Sequence, residues 1–145
     1  MKIQVKRDNE KLQLPNYANP GDAGMDVRAD IERPIVLNTL ERAIIPTGIK
    51  MAIPDGYEMQ VRPRSGLAAK HGISVCNTPG TIGSKFRNTI CVILINLSTK
   101  PFVINPGDRI AQIVLNKFET IEWEEVDELD ETERGLNGFG SSGTE

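Results

Sequence analysis

The sequence contains few of the residues from which common metal and redox sites are built. Its 145 residues include two cysteines and one histidine. Cys76 and Cys91 lack the spacing of a zinc ligand pair, and His71 alone cannot form a His-rich metal site or a nucleophilic triad. We therefore expect neither a disulfide framework nor a zinc centre. Any metal ion should have oxygen ligands.

Long hydrophobic runs and aromatic residues are also scarce. No run approaches the roughly 18 apolar residues of a membrane-spanning helix, and the first residues, MKIQVKRDNE, lack the apolar core of a signal peptide. The aromatic fraction is only 5%, which argues against a nucleic-acid partner. We expect a cytoplasmic protein with no membrane partner and no nucleic-acid partner.

The formal net charge of −3 conceals two regions of opposite charge. Residues 122–133, EWEEVDELDETE, carry eight acidic residues and no basic one, and we call this segment the acidic strap. Residues 1–121 hold sixteen Lys and Arg against eleven Asp and Glu, a net charge of +5. The positive charge of residues 1–121 suits an anionic ligand, although ordinary solvated surface charges would give the same net charge.

Glycine and proline favour many short strands over long helices. The chain has 13 Gly and 9 Pro, several of them adjacent, and is long enough for one domain. Short apolar or alternating runs lie between the turn signals, which predicts an all-β sandwich or barrel. We expect one β domain over residues 1–133, including the strap, and a flexible glycine-rich arm over residues 134–145. The predicted strands span residues 2–6, 25–29, 43–45, 49–53, 58–61, 73–75, 89–97, 102–104 and 109–118.

Three segments have a more specific local prediction. SGLAAKHG is typical of a short helix with Ser65 as its cap and Gly72 as its end. Residues 75–89 predict a β-hairpin with a Pro-Gly turn, whose backbone could form a slot for a flat base. Residues 90–97, ICVILINL, are apolar on both faces, as in a strand buried centrally or at a subunit interface.

Several motifs carry groups suited to an anionic ligand. RPRSG at residues 62–66 offers a guanidinium, a hydroxyl and helix N-terminal amides to a phosphate, although Ser-Gly is also a common helix start. Asp22 and Asp26 lie in a turn where aspartates usually cap their own backbone; the alternative is a carboxylate for hydrated Mg²⁺. The Gln112 side chain either points into a polar site or lies at the rim of that site. The arm combines Arg134, Phe139 and serines with glycines, so it is either a plain tail or a ligand-ordered closure.

In order, PGDAGMD, RPRSGLA, NTPGTI followed by FR, GDRIAQ and RGLNGFGSSG resemble the five motifs of the trimeric dUTPase (deoxyuridine triphosphate nucleotidohydrolase) family. The resemblance covers essentially the whole chain. It implies a jelly-roll-like β-sandwich or barrel and a homotrimer whose three active sites are each assembled from neighbouring chains. The implied reaction is Mg²⁺-dependent hydrolysis of dUTP to dUMP and pyrophosphate, and the implied ligand is dUTP or a related deoxynucleotide.

The resemblance also implies roles for individual residues. Asp26 matches the carboxylate that holds Mg²⁺ through water, and Gln112 matches a glutamine that contacts phosphate. The residues matching the phosphate grip are Arg64, Ser65 and Gly66. The residues matching those that read uracil and deoxyribose are Asn77, Gly80, Thr81, Ile82 and Phe86. The residues matching the arm that closes over uracil and the γ-phosphate are Arg134, Phe139, Gly140, Ser141 and Ser142.

The third motif departs from the family at the catalytic position. After GTI, the family pattern reads Asp, two variable residues, Tyr, Arg, Gly and Glu, whereas this chain has Gly83, Phe86, Arg87, Asn88 and Thr89. Phe86 can still stack under the sugar, but Gly83 offers no acceptor to orient the attacking water or the 3′-hydroxyl. General-base assistance contributes roughly 10²- to 10⁴-fold, so we expect slow hydrolysis.

Two other function classes remain open. A catalytically inert trimer that binds nucleotide or acts as an assembly scaffold would show the same departures. A deoxycytidine triphosphate deaminase has a related fold, but its reaction needs a glutamate in the hairpin, which this chain lacks.

Overall fold

A computed structural model describes residues 1–133, 135, 136 and 138. The predicted arm residues Arg134, Phe139, Gly140, Ser141 and Ser142 lie outside the described residues. The described part is almost entirely strand and turn, with one short helix. In chain order its elements are β1 (Gln4–Arg7), β2 (Gly24–Arg28), β3 (Ile35–Leu37), β4 (Arg42–Pro46), β5 (Ile49–Ala52), β6 (Tyr57–Arg62), α1 (Ser65–His71), β7 (Ile73–Val75), β8 (Gly80–Ile82), β9 (Cys91–Asn96), β10 (Phe102–Ile104) and β11 (Arg109–Lys117).

The strands pair antiparallel in four sheets. The largest sheet has the order β2-β11-β6-β8, and a three-stranded sheet has the order β4-β9-β7. Two further sheets contain β1 with β5 and β10 with β3. The predicted all-β class is confirmed, and the arrangement is jelly-roll-like.

The core is formed by alternate residues of the strands, as a period of two requires. Ile45, Met59, Leu94 and Ile113, from four different strands, are at most 2% exposed. On β9, Val92, Leu94 and Asn96 are buried, while Ile93 and Ile95 between them remain partly accessible. The apolar strand predicted over residues 90–97 therefore buries one face within the protomer and leaves an apolar face uncovered.

The predicted hairpin over residues 75–89 is wrong. β7 pairs with β9, whereas β8 pairs with β6 in the other sheet. The segment between Val75 and Gly80 crosses from one sheet to the other instead of turning back on itself. Local alternation reveals strands but not the sheet to which each belongs.

The helix forms where predicted, but its cap differs. α1 spans Ser65–His71 and is stopped by the C-cap Gly72, whose φ of +64° is the left-handed conformation that glycine adopts readily. The N-cap is Arg64, with no side-chain capping bond, so the prediction that Ser65 caps the helix is wrong. No residue of α1 is buried.

Residues 118–133, which include the acidic strap, form no strand or helix and are exposed. Trp123 is 88% exposed and Leu129 84%. In the part of the chain that the structure describes, no helix has the length and apolar character needed to cross a membrane.

Candidate active site

Three predicted site residues come together at one end of the four-stranded sheet. Asp26 on β2 is in register with Gln112 on β11, and Gln112 is in register with Arg62 at the end of β6. Arg64 follows two residues later, where the chain leaves β6 for α1. The pairing of distant segments therefore gathers the residues of three separate sequence motifs.

The Asp26 carboxylate lies between two arginines. Arg64 Nε donates to Asp26 Oδ1 at 2.9 Å, and Arg109 Nη1 donates to Oδ2 at 3.4 Å. Arg64 Nη1 also donates to the backbone oxygen of Arg109 at 3.4 Å. The Arg64 and Asp26 side chains are 25% and 32% exposed, respectively. The cluster is thus partly shielded, which strengthens its ion pairs, yet open to a ligand.

A β-bulge explains why Arg109 joins this cluster. Asp26 pairs with Gln112 and Arg28 pairs with Arg109, with a register shift between Arg109 and Ala111. β11 therefore carries one extra residue between these pairs. In a regular strand, residues three apart face opposite sides of the sheet. The bulge brings Arg109 to the face that carries Gln112 and Asp26.

Gln112 is held in a defined orientation. Its Nε2 donates to the backbone oxygen of Pro63 at 2.9 Å. A Cβ added at Gly24 would collide with the Gln112 side-chain oxygen, so a larger residue there would displace the end of this side chain. Gln112 therefore lines the site beside Asp26 and does not lie at a solvated rim.

An open cleft of about 1010 Å³ lies beside this cluster, lined among others by Asp26, Arg28, Arg109 and Gln112. Asp22 also lines the cleft, but its carboxylate accepts from the Asn19 backbone N–H at 2.8 Å. The turn-capping interpretation is therefore confirmed for Asp22. Asp26 instead binds side chains from other motifs.

Ser65 and Gly66 lie next to Arg64 as the first two residues of α1. Both are exposed, and an added Cβ at Gly66 would meet nothing within 4 Å. Their backbone amides lie in the first turn of the helix, where N–H groups have no partner within the helix. The exposed start of α1 therefore lies directly beside Arg64 in the chain.

The residues predicted to read a nucleoside lie elsewhere in the protomer. β8 is at the edge of the sheet opposite β2, with β6 and β11 between them. At about 4.8 Å per strand spacing, the two edge strands are roughly 14 Å apart. None of the predicted residues lines the cleft beside Asp26; they are Asn77, Gly80, Thr81, Ile82 and Phe86.

Within this second group, Gly80 is buried, and an added Cβ there would lie 3.2 Å from Val61 Cβ. Phe86 is 40% exposed, while Asn77 and Thr81 are exposed. The protomer therefore brings together the predicted phosphate residues and leaves the predicted nucleoside residues as a separate, accessible group.

Gly83 lies at the end of β8 in open surroundings. It is exposed, and a Cβ built on it would meet nothing within 4 Å. Beside it, Ser84 Oγ donates to Asp55 Oδ1 at 2.6 Å, and Lys85 Nζ lies 3.2 Å from the same atom. The Ser84 hydroxyl, followed by Lys85, lowers the pKa of Asp55. The carboxylate that contacts this segment is therefore occupied by structural partners.

Thr89, another altered position, has its own partner. Its Oγ1 donates to Asp8 Oδ2 at 2.7 Å, and Lys50 Nζ lies 2.7 Å from Asp8 Oδ1. The hydrogen bond from Lys50, followed by that from Thr89, lowers the pKa of Asp8. Burial, with a smaller contribution from Asp8, raises the pKa of the nearby Cys91 thiol.

Asp26 fits a hydrated hard cation better than a dehydrated one. Among the described residues, no group of three or more His, Cys, Asp or Glu side chains is placed to hold a metal ion. Mg²⁺ keeps several waters and is commonly bound through one or two carboxylates together with substrate phosphates. One carboxylate beside residues predicted to bind phosphate matches that requirement.

Comparison with known proteins identifies the family. Residues 10–143 match the dUTPase family model. The deoxyuridine 5′-triphosphate nucleotidohydrolase of Fusobacterium nucleatum is 57% identical over 143 residues, covering 98% of each chain. That of Orientia tsutsugamushi strain Boryong is 49% identical over 146 residues, covering 99% of each chain.

The chain belongs to the dUTPase family. Its fold agrees with those of solved dUTPases. A mutant of the Staphylococcus phage 80alpha enzyme superposes with a TM-score of 0.86 at 26% identity, covering 97% of this chain and 98% of that one. The phage 80alpha dUTPase with dUpNHpp has a TM-score of 0.83 at 26% identity, with 99% of each chain covered. The phage phi11 dUTPase, described with a structural Mg(II) ion, shares the fold at 23% identity, with a TM-score of 0.80 over 90% of this chain and all of that one.

Sequence reasoning missed Arg109 in the Asp26 cluster and the two aspartates that contact the altered segment, Asp55 and Asp8. Arg109 lies in the same GDRIAQ motif as Gln112, but regular alternation would direct the two to opposite faces. Asp55 and Asp8 contact the altered segment from distant turns, so no local pattern indicates them.

Proposed function

We propose that this chain is a homotrimeric, Mg²⁺-dependent dUTP diphosphatase that hydrolyses dUTP to dUMP and pyrophosphate slowly. The family match and the cluster of Asp26, Arg64 and Gln112 support the reaction class. Relatives 49–57% identical carry the nucleotidohydrolase name. We further propose that the protein works in the cytoplasm.

The cleft around Asp26 is the proposed triphosphate site. Arg64 would bind phosphate oxygens with its guanidinium, helped by the Ser65 hydroxyl and the Gly66 amide. Gln112, fixed by Pro63 and by the space at Gly24, would donate to a phosphate from its amide. Asp26 would hold hydrated Mg²⁺, which when bound neutralises charge that develops on the phosphates.

The second group of residues is the proposed nucleoside site. Main-chain groups at Gly80 and Ile82, with the Asn77 and Thr81 side chains, would bind uracil and deoxyribose, while Phe86 stacks against the sugar. Arm residues would then close over the bound nucleotide; these are Arg134, Phe139, Gly140, Ser141 and Ser142. Closure would exclude bulk water from the reacting phosphate.

A complete site needs more than one copy of the chain. The phosphate and nucleoside groups lie on opposite edge strands of one sheet, which favours a site made from the β2 edge of one protomer and the β8 edge of another. The outer face of the β4-β9-β7 sheet offers an apolar interface: Ile44 is 67% exposed, and Ile93 and Ile95 are only partly buried. Closed threefold assembly would cover this face.

Gly83 is the feature expected to limit the rate. In hydrolysis, water oxygen forms a bond to the α-phosphorus, the bond to the pyrophosphate oxygen breaks, and a proton leaves the water. Gly83 has no side chain to orient that water or accept its proton. Asp55, which contacts the neighbouring Ser84, is itself bound by that hydroxyl and Lys85. We expect turnover roughly 10²- to 10⁴-fold below that of a family member with the carboxylate.

Three measurements on the full chain test this proposal. Pyrophosphate release from dUTP with Mg²⁺ should be detectable but slow beside a dUTPase-family relative that carries the aspartate, and dUpNHpp should bind. Light scattering should give about three times the 16.0 kDa chain mass. Binding without any turnover would favour the inert nucleotide-binding trimer. Turnover equal to that of the relative would refute the role given to Gly83, and ammonia release from dCTP would indicate a deaminase.

A further inference from the structure

Asp26 binds two arginines at once, and only Arg64 is among the phosphate-binding residues proposed above. Each carboxylate oxygen has its own guanidinium partner, Arg64 on Oδ1 and Arg109 on Oδ2. Each arginine uses a single nitrogen for Asp26, Nε of Arg64 and Nη1 of Arg109, so other N–H groups of each guanidinium remain available to a second anion. The free protein therefore holds two arginines on one anion.

Arg109 is the more loosely held of the two. Its contact with Asp26 is 3.4 Å, compared with 2.9 Å for Arg64, and its side chain is 53% exposed, compared with 25%. An exposed and longer ion pair contributes little and exchanges its partner easily. The bulge in β11 nevertheless directs Arg109 into the cleft beside Gln112, where a phosphate chain would lie.

The charges of the ligand match this arrangement. A triphosphate carries several negative charges, and arginine binds phosphate in a planar, bidentate geometry. A hydrated divalent cation needs a carboxylate. The two guanidiniums compete with a hydrated cation for the Asp26 oxygens, and Asp26 competes with phosphate for the guanidinium N–H groups.

We infer that Arg109 is a second triphosphate-binding arginine, which Asp26 holds with Arg64 until the nucleotide and its cation arrive. The inference rests on the proposed function, because it requires a triphosphate in this cleft and hydrated Mg²⁺ at Asp26. Arg64 and Arg109 leave the carboxylate together for the phosphates. A cation at Asp26 favours release of the arginines to the triphosphate, and a triphosphate on the arginines favours release of Asp26 to the cation. The two ligands therefore bind cooperatively, and each raises the affinity of the other by the same factor.

Calorimetric binding of dUpNHpp to the full chain, in Mg²⁺ and in EDTA, tests this inference without relying on turnover. Arg109→Gln should weaken binding in Mg²⁺ by about tenfold or more, in the range of a lost charged hydrogen bond. Arg109→Lys, which keeps the charge without the planar fork, should lose less. Arg33→Gln removes one exposed positive charge from outside the cleft and should change affinity less than about twofold.

A second measurement tests whether Asp26 restrains the two arginines. In EDTA, Asp26→Asn should bind dUpNHpp several-fold more tightly than the wild-type chain, because both arginines are released and a like charge is removed. Adding Arg109→Gln should abolish most of that gain, which a double-mutant cycle quantifies. Thermal unfolding of each variant checks that it is folded.

The outcomes separate this inference from the proposed function. If the wild-type chain binds dUpNHpp and Arg109→Gln behaves like Arg33→Gln, the inference is wrong and the proposed function stands. If the wild-type chain does not bind dUpNHpp at all, the proposed function fails and the inference fails with it.

Discussion

Ser84 donates its hydroxyl hydrogen to Asp55 at 2.6 Å, which ties the residue beside Gly83 to the turn before β6. Lys85 contacts the same carboxylate oxygen. The segment that has lost the family aspartate is therefore anchored by a different aspartate, contributed from 28 residues earlier in the chain. Anchoring of this segment by Asp55 and catalysis at position 83 can therefore be tested separately.

Asp55 should hold the segment without acting as the base. Asp55→Ala should shift the NMR amide signals of residues 83–87 and raise their hydrogen exchange, because both side-chain contacts are lost. Asp55→Asn, which keeps an acceptor for Ser84, should have a smaller effect. Turnover of dUTP should fall no further in Asp55→Asn than affinity does; a selective loss of kcat would show that Asp55 supplies the base.

The same anchor has a predictable pH dependence. The pKa of Asp55 is lowered in the folded chain, so its stabilising effect is present above the unfolded value of about 3.9 and is lost as pH falls through the folded pKa. The Ser84 and Lys85 amide shifts should be constant from about pH 8 to 5 and change only in more acidic solution. A transition near neutral pH would contradict the assignment.

Restoring the family glutamate at position 89 should be harmful by itself. Thr89→Glu would place a second negative charge against Asp8, which already accepts the Thr89 hydroxyl, and would compete for Lys50. The midpoint of thermal unfolding should fall by a few degrees, less at high salt. Thr99→Glu, the same change at an exposed position, serves as the control. An equal effect of the two substitutions would show that Asp8 is not the cause.

Gly24 should be required for the position of Gln112. Gly24→Ala would push the end of the flexible Gln112 side chain away from Pro63 and should cost about 0.5–1.5 kcal/mol, the net value of one hydrogen bond. Gly66→Ala, where the added methyl meets nothing, should cost far less stability. Denaturant unfolding measures both. The cost of Gly24→Ala should shrink in a Gln112→Ala background, and an unchanged cost would place the strain elsewhere.

The outer face of the β4-β9-β7 sheet should form the subunit interface. Ile44→Glu should convert the trimer to smaller species in light scattering while leaving the protomer folded, because Ile44 is 67% exposed in the protomer. Turnover should fall with trimer content. Val36→Glu changes an exposed apolar residue of the β3-β10 sheet. Dissociation by Val36→Glu and not by Ile44→Glu would place the interface on the other sheet.

Local patterns predicted the β class, most strands and the end of α1 at Gly72, because alternation and turn residues act over a few positions. They failed where partners are distant. The 75–89 segment was assigned to one hairpin although its strands join different sheets. Arg109 was overlooked because a bulge, visible only in the pairing with β2, changes the face it occupies. The cluster of Asp26, Arg64 and Gln112 followed from the motifs, whereas the contacts of Asp55 and Asp8 required the fold.

We expect the carboxylate missing at position 83 to limit turnover. The position has room for it, since nothing lies within 4 Å of an added Cβ. The most direct test is the rate of pyrophosphate release from saturating dUTP by Gly83→Asp beside the wild-type chain, with Gly83→Ala as the control for the added carbon. We predict a rise of roughly 10²-fold or more for Gly83→Asp and none for Gly83→Ala. Equal rates for the three chains would contradict the account.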